Sequence, residues 1–235
     1  MTLQEAIVAR HSVRQYKQQP IEAGKVEQLR AAIDEANRTA GLHLQLVTDE
    51  PEAFAKGLAK YGKFSGVSNY IVLVCRKGLD EQLGYHGERV VLLAQTLGLN
   101  SCWVGLTFSR QPDHYTVGAG EQLHGVIALG YGQTQGVQHP VRSTEKYYRS
   151  AVQPVPEWFL RGMEAAMLAP TAMHMQKFEF ELLADGRVAA RTRFSLVGTY
   201  LKIDLGIVKC HFEVAAGREN FTWADRGESG ICTGD

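Results

Sequence analysis

The sequence has no excess of either charge sign: Lys and Arg number 25, Asp and Glu 25, and the formal net charge is 0. With no global basic field to hold a polyanion through its phosphates, nucleic acid is excluded as a general partner. Long apolar runs are also missing, since residues 70–75 and 90–94 are the longest and a bilayer span takes roughly 20 residues; no membrane association is expected. Met1-Thr2-Leu3-Gln4-Glu5 carries no basic stretch ahead of an apolar one, so no secretory signal is read and the cytoplasm is the expected compartment. Cysteine is scarce, and Cys75, Cys102, Cys210 and Cys232 include no Cys-x-x-Cys pair. They read as buried thiols, with zinc or disulfide chemistry a weak second. No Gly-x-Gly-x-x-Gly follows a strand-like run, so a separate dinucleotide-binding site is not indicated.

What remains is an ordinary globular composition. The chain has 235 residues, 45% hydrophobic and 21% charged, enough for one large core or two small ones. Thr2 and Glu5 form a capping box that opens a short helix to about Ala9. A second helix is expected over residues 21–37, with Val26, Leu29, Ile33 and Ala36 at helical spacing and Gly41 after it. Residues 42–47 alternate as a strand does. Residues 70–75 are continuously apolar and β-branched, the pattern of a central strand buried on both faces. An apolar core helix is expected over residues 84–96, closed by Gly98, and another buried strand over residues 126–132. Residues 133–150 read as a polar loop, and Pro154 and Pro156 mark a new beginning near residue 151.

A search for internal repeats bears on the organisation. Placing Leu29-Arg30 on Leu160-Arg161 brings His43-Leu44-Gln45 onto His174-Met175-Gln176 in the same register. The apolar helix that ends at Gly98 has a counterpart running from Asp204 through Gly217. The second half thus reads as a shortened copy of the first, or the identities are coincidental. Duplicated halves can build a site that two subunits would otherwise build.

Two stretches carry candidate chemistry. Arg10, His11, Ser12 and Arg14 concentrate donors suited to a phosphate monoester at a helix end, and Arg142 and Lys146 could close the same pocket. The alternative is a set of solvated surface charges. In Ala169-Pro170-Thr171-Ala172-Met173-His174-Met175-Gln176-Lys177-Phe178, Pro170 halts a helix and small residues permit close backbone approach. His174 and Gln176, alternating into a strand, would suit the edge of a planar ligand; a plain helix-to-strand turn is the alternative. Asp204 and His211 invite an acid-base or metal reading, but their helix is apolar and core packing with one capping carboxylate is favoured.

Residues 7–16 resemble the opening motif of the FMN-dependent nitroreductase family, Arg-(Arg/His)-Ser-x-Arg, which grips the FMN phosphate. Gly98-Leu99-Asn100-Ser101-Cys102-Trp103-Val104-Gly105 resembles the family's helix end and loop against the flavin ring. Residues 169–178 are similar to its Ala-Pro-Ser-Ala-x-Asn-x-Gln-Pro-Trp, which in the usual homodimers reaches the flavin from the partner subunit. Here that last motif follows the Trp-Val-Gly loop instead of preceding the central strand, and His43-x-Gln45 is its remnant at the usual position. The chain therefore resembles the single-chain, internally duplicated subgroup. His174, Lys177 and Phe178 depart from the family's Asn, Pro and Trp, which puts ring-edge contacts and substrate preference in doubt. Residues 226–235 match no family motif and read as a mobile tail or local embellishment.

The resemblance implies an α+β nitroreductase-like fold, a central antiparallel-rich sheet flanked by helices, with a pseudo-dimeric duplication split into halves 1–150 and 151–235. It implies one FMN per chain, NADH or NADPH as electron donor, and a small-molecule acceptor such as a nitroaromatic or quinone reduced in a ping-pong cycle. A flavin-binding protein without turnover is the competing reading. The implied contacts to the cofactor are Arg10, His11, Ser12, Arg14 and Arg142 at the phosphate. Lys63 joins Arg14 near the pyrimidine edge, Trp103, Gly105, Leu106 and Thr107 lie toward the ring, and Pro170, Thr171, Ala172, His174 and Gln176 cover its other side. No dedicated acid or base and no metal ligand set is identified. A monomer is expected, with a dimer as the alternative.

Overall fold

The computed structural model describes residues 1–55, 61–195 and 200–224, and the chain divides into two compact units, Met1–Gln138 and His139–Asp235. In the first unit the order is α1 (Leu3–Ala9), α2 (Ala23–Ala40), β1 (Gln45–Val47), the single turn α3 (Glu52–Ala55), β2 (Asn69–Arg76), α4 (Asp80–Thr96), β3 (Asn100–Val104) and β4 (Glu121–Gly130). The capping box forms as expected: the Glu5 N–H donates to Thr2 Oγ1 at 3.2 Å and the Thr2 N–H donates to Glu5 Oε2 at 2.8 Å.

Helix α2 runs past the expected Asn37 to Ala40, where Gly41 takes a left-handed φ of 64°. Asn37 pins the exit from that helix. Its amide donates to Leu44 O at 2.9 Å and accepts the Leu44 N–H at 2.8 Å. The β1–β2 ladder begins at Gln45, later than the expected residue 42, although the His43 N–H already donates to Val74 O at 3.0 Å.

All of β2 is buried except Arg76, and the reason is topological. The sheet order is β1-β2-β4-β3, every pairing is antiparallel, and β2 is interior. Helix α4 starts at Asp80, ahead of the expected Gly84, with Asp80 and Glu81 in its first turn, where acidic side chains complement the helix N-terminus. Residues 100–104 are an edge strand, although their small polar residues read as part of a loop. A bulge interrupts the β2–β4 pairing between Leu73 and Val74. Opposite it, Gly125 has a φ of 155°, and a Cβ there would sit 2.5 Å from Val104 O, so the close approach of β3 to β4 requires glycine. Helices α1 and α2 pack against α4, which packs against β2 and β3.

The second unit contains β5 (Tyr148–Ser150), α5 (Glu157–Leu168), β6 (Phe178–Leu182), β7 (Val188–Thr192) and α6 (Leu201–Ala216). Strands β6 and β7 pair antiparallel and β5 lies parallel to β6. The expected loop over residues 133–150 therefore holds a strand, preceded by the 3-10 turn Thr144–Tyr147. Helices α5 and α6 pack together around an aromatic core in which the Phe212 ring lies 5.4 Å from Phe159 and 4.8 Å from Phe180. Among the described residues, no helix is long and apolar enough to cross a membrane. Cys75, Cys102 and Cys210 are buried thiols. Cys232 and the tail over residues 226–235 lie outside the described residues.

Candidate functional site

The first unit gathers most of the basic candidates by threading residues 12–16 between two other segments. On one side Ser12 bridges Ser101 of β3, and the Val13 N–H donates to Ser101 O at 3.0 Å. On the other side the Ser65 N–H donates to Arg14 O at 3.0 Å and the Tyr16 N–H donates to Ser65 O at 2.9 Å. Gly66 makes this possible, because a Cβ there would lie 2.2 Å from Tyr16 O. The exposed Arg14 holds its guanidinium 5.9 Å over the Phe64 ring, a cation–π contact. Lys63, exposed and with a φ of 55°, leads into that ring. Thr107 is beside the same turn: a Cβ on Gly62 would stand 2.7 Å from its Oγ1. Residues 10–14, 62–65 and 101–107 therefore converge, with Leu106 exposed and Gly105 and Thr107 half-buried. Phe64 also lines a cavity of about 590 Å³ together with Phe54, Val67 and Asp49.

Within this cluster the candidates differ. Arg10 is buried beside the fully buried Glu88 of α4, with Nε 3.6 Å from Oε1. Trp103 is also tied to α4, since its Nε1 donates to Glu88 Oε2 at 2.7 Å. His11 Nδ1 is buried and has no hydrogen-bond partner among the described residues, which is uncommon for a polar atom in a folded protein. Burial raises the Cys102 thiol above its ordinary range, against the lowering effects of Arg14, a hydrogen bond with Ser12, and Arg10.

In the second unit α5 ends at Leu168, ahead of Pro170 as expected. The following residues do not alternate into a strand. Met173, His174 and Gln176 have φ values of 53°, 53° and 52°, so residues 171–176 form a compact turn and β6 begins only at Phe178. Non-glycine residues in this region are strained, and local bonds hold them. The His174 N–H donates to Thr171 O at 3.0 Å, the Met175 N–H to Ala172 O at 3.1 Å, and the Gln176 N–H to Thr171 Oγ1 at 3.2 Å. One tether comes from α6: the Ala172 N–H donates to the Asp204 carboxylate, 3.0 and 3.1 Å from its two oxygens. Gln176 is buried, its amide nitrogen donating to Met167 O at 3.3 Å and Ala169 O at 3.4 Å, while its Oε1 has no partner among the described residues. The exposed His174 ring stacks on His139 with centroids 5.1 Å apart. Arg142 is exposed and donates to the Tyr147 hydroxyl at 3.3 Å.

No motif in the sequence marks Glu88 or Phe64, and the sequence alone favours Asp204 as a helix-capping carboxylate. A signal for Glu88 existed: Gly84, Glu88, Val91 and Gln95 recur at spacings of three and four, so the carboxylate falls on the buried stripe of α4. Asp204 caps the turn after α5 rather than its own helix. His211 is buried, with Nδ1 3.1 Å from Ala165 O, a core histidine as favoured.

An antiparallel-rich sheet, helices packed on it and a basic segment leaving α1 beside β3 describe a nitroreductase-like α+β protein. Residues 2–216 match the family described as "Putative TM nitroreductase", and the chain belongs to that family. Among solved structures it is similar to a protein of Thermotoga maritima under the same description, at 20% identity and a TM-score of 0.69, covering 97% of this chain and 91% of that one. A similarly described protein of Desulfovibrio desulfuricans in complex with FMN shares 14% identity at a TM-score of 0.48, over 66% of this chain and 99% of that one. At these levels the first likeness shows the fold and the second carries no argument. Nothing matches among curated proteins.

Proposed function

We propose that the protein binds one FMN and passes a hydride from NADH or NADPH to a small-molecule acceptor, a nitroaromatic or quinone, in a ping-pong cycle. The observation that carries this reading is the convergence of residues 10–14 with residues 62–65 and 101–107, which places His11, Ser12, Arg14 and Lys63 around one region of the first unit. The donor set fits a phosphate monoester. Ser12 offers a hydroxyl, Arg14 a guanidinium with planar donors, and His11 a buried ring nitrogen that has no hydrogen-bond partner among the described residues.

FMN, when bound, supplies the hydride chemistry, and the protein supplies grip, orientation and electrostatics. His11, Ser12 and Arg14 hold the phosphate, with the buried charge of Arg10 behind them. Lys63 and Arg14 oppose negative charge at the pyrimidine edge. The backbone of Gly105, Leu106 and Thr107 faces the reacting edge of the ring, and Trp103 keeps β3 against α4. On the sequence motif, Arg142 is assigned to the phosphate, and Pro170, Thr171, Ala172, His174 and Gln176 to the ring. We further propose that the protein is a monomer whose second unit takes the part played by a partner subunit.

Anaerobic titration tests the reading. A yellow preparation bleached by NADH or NADPH and recoloured by a nitroaromatic or quinone supports it. A yellow preparation that neither nicotinamide bleaches makes the protein a flavin binder without turnover, and a colourless one that ignores added FMN refutes the reading.

A further inference from the structure

We infer that Glu88 is a positioning residue that sets how strongly an anion is held at the end of α1, acting as the internal counter-ion of Arg10. This rests on the FMN reading for its physiological ligand, but not for its physical test.

A carboxylate fully buried in an apolar helix is costly unless partners compensate it. Glu88 is 0% exposed, and two of its partners come from two different segments of the candidate cluster. Arg10 leaves the end of α1 with Nε 3.6 Å from Oε1 and is itself 4% exposed. Trp103, in β3, donates its indole N–H to Oε2 at 2.7 Å. The ring reaches α4 because Gly87 has no side chain, a Cβ there lying 2.7 Å from the Trp103 ring.

The charge arithmetic gives the consequence. The Glu88 carboxylate and the Arg10 guanidinium cancel, so a phosphate arriving beside His11, Ser12 and Arg14 feels less of Arg10 than an isolated guanidinium would exert. At low dielectric such cancellation is strong. Removing the negative charge leaves the buried Arg10 guanidinium less compensated, so an incoming anion gains more from it. Glu88 thereby tempers phosphate binding while tying the anion-binding end of α1 to the strand that leads to Gly105.

The test compares dissociation constants of FMN and riboflavin, which differ only in the phosphate, by flavin fluorescence in the wild type and in Glu88→Gln. The inference predicts that the preference for FMN over riboflavin rises at least fivefold in Glu88→Gln, whereas a purely structural role would weaken both flavins together and leave the ratio within twofold. Glu88→Asp keeps the charge but withdraws it by one methylene; a rise of at least twofold is expected, and it decides the matter if Glu88→Gln does not fold. Thermal unfolding with inorganic phosphate is a readout independent of flavin: the phosphate-induced rise in Tm should be larger in the variant than in the wild type. An equal rise overturns the role of Glu88, whereas wild-type protein that binds neither flavin yet shows the larger phosphate response in the variant refutes only the FMN reading.

Discussion

A stretch of each unit follows the same order of elements, and the two stretches use the same His-x-Gln signature differently. Apart from the single turn α3, helix, strand, strand and helix follow as α2-β1-β2-α4 in the first unit and α5-β6-β7-α6 in the second, with the strand pair antiparallel in each. The connection from helix to strand differs: four residues, 41–44, in the first unit and nine, 169–177, in the second. In the short connection His-x-Gln is consumed by structure. His43 Nδ1 is 2.8 Å from Glu121 Oε2, and Gln45 Oε1 accepts the Thr116 N–H at 2.9 Å. In the long connection His174 is exposed and stacks on His139, and Gln176 Oε1 has no hydrogen-bond partner among the described residues. The longer connection has room for a left-handed turn that the short one lacks, and that turn leaves one buried acceptor, Gln176 Oε1, without a hydrogen bond among the described residues.

Four variants would break or sharpen this contrast. The largest effect is expected in the first unit, where Ser12→Ala combined with Arg14→Ala removes the phosphate grip. At about 1.5–3 kcal/mol for each charge-assisted bond, FMN affinity should fall by about two to four orders of magnitude, with riboflavin little changed in the same fluorescence titration. Parallel losses for both flavins would mean that the segment does not meet the phosphate.

Next comes the tether of the second-unit turn. Burial pushes the Asp204 carboxyl from 3.8 up to about 7, only partly opposed by the Ala172 N–H. A carboxyl whose pKa is raised on folding holds its proton more tightly in the folded state. Its contribution to stability is therefore complete below pH about 4 and is lost as pH rises through about 7. The size is on the order of 4 kcal/mol. Urea unfolding across pH 4–8 should show this decline in the wild type, and Asp204→Asn should flatten it. An unchanged slope in the variant would remove Asp204 from the account.

Smaller effects follow at the paired signatures. Gln176→Ala should weaken FMN and riboflavin alike, by about tenfold, since a neutral hydrogen bond contributes about 0.5–1.5 kcal/mol; a loss confined to FMN would place the residue at the phosphate. His43→Ala should cost about 1 kcal/mol of stability by urea unfolding, within the range of single surface-linked contacts, and leave flavin affinity untouched. Flavin binding that depends on His43 would erase the contrast between the two connections.

Much of the fold could be read because its elements are specified locally. The capping box needs only Thr2 and Glu5, and the continuous apolar run of β2 follows from an interior position. The start of α4 was missed because its first turn is polar, and β3 because Ser101 and Cys102 look like loop residues until β4 pairs with them. For the site, the motif at residues 10–14 was visible as a cluster of donors. Its division into a buried Arg10 and an exposed Arg14 was not, since that depends on Glu88 approaching from a distant helix. The left-handed turn over residues 171–176 could not be read either, because Met173, His174 and Gln176 are not residues that announce positive φ; its tether, Asp204, lies well down the chain in α6.

The central claim is that the end of α1 grips a mononucleotide phosphate, and paired titration of the wild-type protein with FMN and riboflavin tests it most directly. Two or more charge-assisted bonds to the phosphate predict FMN binding tighter than riboflavin by at least ~100-fold, and equal affinities for the two flavins would contradict the claim.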